Sequence, residues 1–216
     1  APLTEEGAGV NVADNTGMTP LYAAVDMHTL ASTFGRPNLA PAVVAATRDT
    51  IAALLAAGAG PNPRLVSRVF KRVYNAGDPR LGEGATPFMR AARGGDAEVM
   101  RMLLAAGADP ALTQKNGNSP ILLAAGLGSE KEGDNPLRGG VDGAMAAIEL
   151  SLERGLDVNA VSASGDSAMH AALGSPRLLR FLAQRGARLD LRNKQGRTPL
   201  EAALNAREPN PASISV

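Results

Sequence analysis

The chain has 216 residues with a formal net charge of +1, so length allows one or two domains and no global field draws it to nucleic acid or an anionic membrane. It contains no cysteine, which excludes disulfides, thiolate metal sites, covalent haem attachment and a Cys nucleophile within this segment. Hydrophobic residues make up 44% and aromatic residues only 3%, much of the apolar content being Ala, which suits closely packed helices.

One phrase recurs five times and sets the frame: Thr19-Pro20-Leu21-Tyr22-Ala23-Ala24, Thr86-Pro87-Phe88-Met89-Arg90-Ala91, Ser119-Pro120-Ile121-Leu122-Leu123-Ala124, Ser167-Ala168-Met169-His170-Ala171-Ala172 and Thr198-Pro199-Leu200-Glu201-Ala202-Ala203. Thr or Ser caps a helix N-terminus, and Pro is tolerated at the first helical position because its missing N–H would be unpaired there anyway. The invariant sixth-position Ala marks a close approach of two helices. A Gly stands two places before each phrase (Gly17, Gly84, Gly117, Gly165 and Gly196) and predicts a tight turn. Between copies run amphipathic helices ending at Gly58, Gly107, Gly155 and Gly186, each Gly supplying the positive φ of a C-cap.

In chain order, residues 1–18 read as the end of a second helix with its turn, followed by a first helix over about 20–27. Residues 29–47, with Gly35, Pro37 and Pro41, read as a loop inserted before a second helix at 49–57. Residues 61–85 replace the usual turn with a long finger carrying five basic residues (Arg64, Arg68, Lys71, Arg72, Arg80) against two acidic ones (Asp78, Glu83). Helices follow at 87–93, 97–106 and 120–126. A polar insertion over 128–140 leads to helices at 142–154, 168–173, 177–185 and 199–206. No unit of helix, turn, helix and projecting turn buries its apolar face alone, so the units must stack.

This phrase resembles the Thr-Pro-Leu-His-x-Ala signature of the ankyrin repeat, matched best at 19–24 and 198–203. The copies begin at 19, 86, 119, 167 and 198, spaced 67, 33, 48 and 31 apart, so one interval is the usual 33 and two are lengthened by the insertions. The resemblance implies a single all-α solenoid over 1–216 that binds another protein and catalyses nothing. It implies contacts through turn tips and the inner face of the first helices. Carried over by position, the tips are Asn15, Thr16 and Met18; Lys115, Asn116 and Asn118; Ala163, Ser164 and Asp166; and Lys194, Gln195 and Arg197. The inner-face positions are Asp26, Met27, Arg93 and Asn205. The long insertions, with Gly77 to Pro87, resemble ankyrin segments of bacterial envelope proteins, some joined to c-type cytochrome modules. That likeness implies a periplasmic scaffold; the alternatives are a bacterial effector that binds a host protein and the non-catalytic part of a larger envelope redox protein associated with a c-type cytochrome. Because the sequence opens and closes inside a repeat, further repeats or another subunit are expected at both ends.

The remaining residues carry little other chemistry. His170 occupies the family's own His position and is expected to bond the neighbouring turn. His28 ends the first helix beside Asp26, where it can face the helix dipole or a partner. No His-x-x-x-His or carboxylate cluster points to a metal, and no Gly-rich phosphate or dinucleotide loop to a cofactor. The finger stays open to two readings. Arg68, Phe70, Lys71, Arg72 and Tyr74 grip a partner, an acidic protein surface before nucleic acid, or Val66, Val69, Phe70 and Val73 simply pack the finger down with the cations in water.

Overall fold

The computed structural model describes residues 9–29, 40–67, 78, 80–126 and 139–207. Among these residues every regular element is a helix: α1 Pro20–Thr29, α2 Pro41–Ala56, α3 Pro87–Arg93, α4 Ala97–Ala105, α5 Pro120–Ala125, α6 Gly140–Glu153, α7 Ala168–Ala171, α8 Pro176–Gln184 and α9 Pro199–Arg207. Each odd helix packs on the even helix that follows it, and the helices form two rows: α1, α3, α5, α7 and α9 inside, α2, α4, α6 and α8 outside.

The recurring phrase builds the inner row in the way its residues dictate. The hydroxyls of Thr86 and Ser119 each accept from the backbone N–H three residues on, at 3.3 Å. Ser167 and His170 form the reciprocal version, a capping box. The main core lies between the rows, where Leu21, Phe88, Ile121 and Met169 occupy one register position and are all buried, as are Ala91, Ala124 and Ala172.

Most elements lie within a few residues of their sequence-derived bounds. The exception is α2, which begins two turns early at Pro41. Pro41 reads as a loop marker in isolation, but it sits in the first turn of the helix, where the ring costs no hydrogen bond. The last residues of the stretch 29–47, from Pro41 on, are therefore helical rather than loop. α7 is shorter than its pattern, stopping at Ala171 as Gly174 and Pro176 approach.

Consecutive units are tied by two backbone devices. At the tips, Val66 N donates to Thr16 O (2.9 Å), Lys115 N to Glu83 O (2.9 Å), Ala163 N to Asn116 O (2.7 Å) and Lys194 N to Ser164 O (2.8 Å). Gly117 has φ +75, and a Cβ there would lie 3.0 Å from Ala163 N, so the residue is fixed by conformation and by the closeness of the next tip. Behind the tips, asparagines bridge units. Asn62 donates to Gly107 O (3.0 Å) and accepts from Asp109 N (2.8 Å), while Asn159 donates to Gly186 O (3.1 Å) and accepts from Arg188 N (2.8 Å). Asn11 does the same with Gly58 and Gly60.

In this register the position between Asn62 and Asn159 is Ala111, which leaves one boundary without the bridge. Ala111→Asn is therefore expected to stabilise, its side chain spanning Gly155 O and Asp157 N. Each hydrogen bond gained contributes about 0.5–1.5 kcal/mol. A raised thermal midpoint would show it; an unchanged or lower midpoint would show that this boundary is built differently.

A tighter contact joins the turn after α3 to the start of α6. Gly139 N donates to Gly94 O (3.1 Å), and a Cβ on Gly139 would stand 2.5 Å from Gly95 O. A Cβ on Gly143, one turn into α6, would collide with the same carbonyl.

Candidate functional site

The inner face of the stack is divided in two. Its first part is covered by the base of the finger. Leu65, Leu81 and Ala85 pack with Tyr22, Met89 and Leu123 from the inner helices into a second, smaller core. Gln114 is buried and holds the segment on both sides, donating to Arg80 O and accepting from Gly82 N, each at 3.0 Å. Arg80 donates through Nη1 to Gly126 O at the end of α5 (2.5 Å), and Arg93 at the end of α3 donates through Nε to Asp78 (2.8 Å). The segment entering the finger is pinned to the segment leaving it by Leu65 N to Ala85 O (3.0 Å) and Gly84 N to Leu65 O (2.7 Å).

Under this cover lies a buried charge pair. Arg90, 1% exposed, donates through Nε to Asp26 at 2.6 Å, and its Nη1 is enclosed with no hydrogen-bond partner. Desolvation pushes the neighbouring Tyr22 hydroxyl above the usual phenol range, against a smaller opposing effect of the Arg90 charge.

The second part of the inner face is open. A groove of about 730 Å³ runs over α5, α7 and α9. Leu122, Leu123, Ala171 and Ala202 line its floor, Asn116, Ser162, Ser164 and Asp166 line its rim, and Arg80 lies where the finger base closes it. Such a volume suits a peptide segment or a small ligand. His170, also on the lining, bonds Ser167 and stands 2.9 Å from Arg197 O through Nε2, which fixes the fifth turn against α7.

The sequence-derived positions fall into distinct environments. Asn116, Asn118 and Asp166 line the groove, as do Ala163 and Ser164. Lys194, Gln195 and Arg197 are exposed on the fifth turn beside it. Lys115 is exposed and paired with Glu83 at 2.8 Å. Asn15 is exposed and Thr16 and Met18 half-buried on the first turn. There the Thr16 hydroxyl donates to Asp14 (2.6 Å) and holds that carboxyl below the usual carboxylate range.

Of the inner-face positions, Met27 is exposed, and Asn205 is exposed with its side chain bonded to Glu201 O. Asp26 and Arg93 correct the expectation of inner-face surface: Arg93 is 3% exposed, and both are engaged by other parts of the chain. His28 is buried as well, with Nδ1 2.6 Å from Thr47 Oγ1 and Nε2 3.0 Å from Asp96 Oδ2, so it joins α1 to α2 and the cap of α4. Arg68, Phe70, Lys71, Arg72 and Tyr74 lie outside the described residues.

Sequence reasoning passed over Arg90 and Gln114. Arg90 did leave a signal: it stands at the fifth place of the phrase, where the other copies carry Ala23, Leu123, Ala171 and Ala202. Gln114 left none, because its partners lie more than thirty residues away across the finger.

Among the described residues no group of acids and histidines could hold a metal ion, and no helix is long and apolar enough to cross a membrane.

Comparison with known proteins agrees with the geometry. Residues 75–124 match the family model for ankyrin repeats in many copies. Over 249 aligned positions the chain is 26% identical to the B-cell lymphoma 3 protein homolog of Mus musculus, an alignment that covers 95% of this chain and 52% of that protein. The chain thus spans about half the length of that relative. Ankyrin repeats are typically non-catalytic modules that bind proteins. The matched segment is similar to ankyrin repeats, and the all-helical stack of helix pairs on either side of it is consistent with an ankyrin-repeat solenoid.

Proposed function

We propose that this chain acts as one continuous binding module and receives a partner protein in the groove over α5, α7 and α9. The observation that carries the reading is the division of the inner face. The finger base fills the part over α1 and α3, while the adjoining part presents about 730 Å³ of open groove between polar tips and an apolar floor. Asn116, Asn118, Ala163, Ser164 and Asp166 belong to its rim, and Lys194, Gln195 and Arg197 continue that rim along the fifth turn. Asn15, Thr16, Met18, Met27 and Lys115 form an outer contact zone on the preceding turns and α1. Asp26 and Arg93 serve the fold rather than the partner, because the chain's own Arg90 and Asp78 occupy them.

The test is obstruction. Ala163 and Ser164 are exposed, so Ala163→Trp with Ser164→Trp fills the groove mouth without touching a core position. Proteins from the source organism captured by the immobilised chain are compared by mass spectrometry for three forms: the parent, the blocked variant and an outer-face variant, Arg180→Glu. The expected result is a set of proteins held by the parent and by Arg180→Glu and lost from the blocked variant. Equal capture by all three forms would remove the groove from the reading.

A further inference from the structure

The charges around the open groove indicate what kind of segment enters it. Most exposed cations near it are already matched: Lys115 with Glu83, Arg188 with Asp190, and Arg192 with Glu201. Lys194 and Arg197 are exposed and make no described ion pair. Both lie on the fifth turn, whose backbone completes the groove wall through Lys194 N to Ser164 O (2.8 Å) and Arg197 O to His170 (2.9 Å). The acid on the lining, Asp166, accepts from Ser164 Oγ (2.6 Å) and Asn193 Nδ2 (2.9 Å) and so is committed within the wall. The rim therefore presents two cations without a described ion-pair partner, Lys194 and Arg197, beside one carboxylate whose hydrogen bonds are to neutral groups, and Arg80 adds a third cation on the lining.

The neutral groups of the groove add shape to that charge. Ala171 and Ala202 contribute only methyl groups to the floor under the fourth and fifth units, which leaves the groove unfilled there. The Asn116 amide and the Ser162 and Ser164 hydroxyls on the wall are donors and acceptors of the kind that match a peptide main chain. Among the described residues no Phe, Tyr or Trp lines the groove, and the His170 ring is held by Ser167 and Arg197 O, so the described lining offers no row of stacking platforms for single-stranded nucleic acid. Resting on the binding role above, we infer that the groove takes an extended acidic segment of a partner protein, with apolar side chains over Leu122, Ala171 and Ala202 and carboxylates at Lys194 and Arg197.

The experiment selects displayed short random peptides on the immobilised full chain, then titrates the strongest peptide by fluorescence polarisation. The expected peptides carry Asp or Glu close to apolar residues. Their affinity should fall about tenfold or more when Lys194→Glu is combined with Arg197→Glu. It should weaken further as salt rises and stay unchanged in Arg180→Glu. Circular dichroism and melting of each variant confirm that the stack is intact.

Acidic peptides whose binding ignores the Lys194/Arg197 reversal would overturn this assignment and leave the binding role standing. Peptides without acidic enrichment that are still excluded by Ala163→Trp with Ser164→Trp would overturn the acidic chemistry and keep the groove. Failure to select any peptide, or tighter binding of a thymidine oligonucleotide than of the best peptide, would overturn the inference. Selected peptides indifferent to every groove variant would overturn the binding site itself.

Discussion

Asp26→Ala is expected to lower stability by about 3–5 kcal/mol, because it leaves the Arg90 guanidinium charged and enclosed. The pair is well shielded, with side-chain exposures of 2% for Arg90 and 19% for Asp26, so solvent does little to weaken the interaction. The enclosed Nη1 already lacks a partner, and losing the carboxylate would strand the rest of the group. A loss of this size is a large part of the 5–15 kcal/mol that ordinary domains have in total. Urea unfolding of the variant measures it. The double substitution Asp26→Leu with Arg90→Met is the informative companion. It removes both charges while keeping apolar volume, and it should recover most of the loss. If Asp26→Ala unfolds at the parent's urea concentration, the pair is solvated in solution and the second core is open.

Gly143→Ala should also destabilise, with a sign opposite to helix propensity. In an ordinary helix interior Ala is favoured over Gly by about 1 kcal/mol. Here the added methyl would meet the carbonyl of Gly95, and backbone cannot swing aside as a flexible side chain does. Overpacking of this kind costs about 1–3 kcal/mol net of local relaxation. Gly143→Ala measured against Gly58→Ala is a suitable pair, since a Cβ at Gly58 meets nothing within 4 Å and Gly58 has φ +85, so its penalty is conformational alone. A midpoint for Gly143→Ala equal to or above the parent's would show that α6 does not approach the turn after α3 as closely as described.

Both residues illustrate what the sequence makes visible and what it conceals. The inner helices were legible because their signals are local. Thr86 and Ser119 cap within three residues, and the glycines at 84 and 117 hold positive φ in the same short turns. The start of α2 was not legible, because Pro41 serves equally well as a loop residue and as the first turn of a helix. The turn tips were legible as surface, and Asn116, Asn118 and Asp166 do line the groove. That Asp26 and Arg93 are paired within the chain was not legible, for a physical reason. A charged residue on an inner helix face defaults to solvent unless an opposite charge is brought to it, and those charges come from Arg90, in the next unit, and from Asp78, in the finger. Gly139 and Gly143 carried no signal in the sequence, yet they mark a place where two backbones touch.

The pinning of the finger's two segments has a consequence for how such a chain can change over generations. Leu65 is bonded to Ala85 and to Gly84, and Val66 still reaches Thr16, so the tip-to-tip connection of the first unit is completed before the extra sequence begins. Asp78, Arg80, Leu81 and Gly82 tie the returning segment to the stack as well, so the fixed part of the finger is its base, and lengthening the sequence between two such fixed points twofold costs only about 0.6 kcal/mol more. The junction works as a socket: with those anchors kept, sequence inserted between Val66 and Asp78 can vary in length while the stack beneath keeps its register. New recognition surface can thus be tried at this point without refolding the solenoid that displays it.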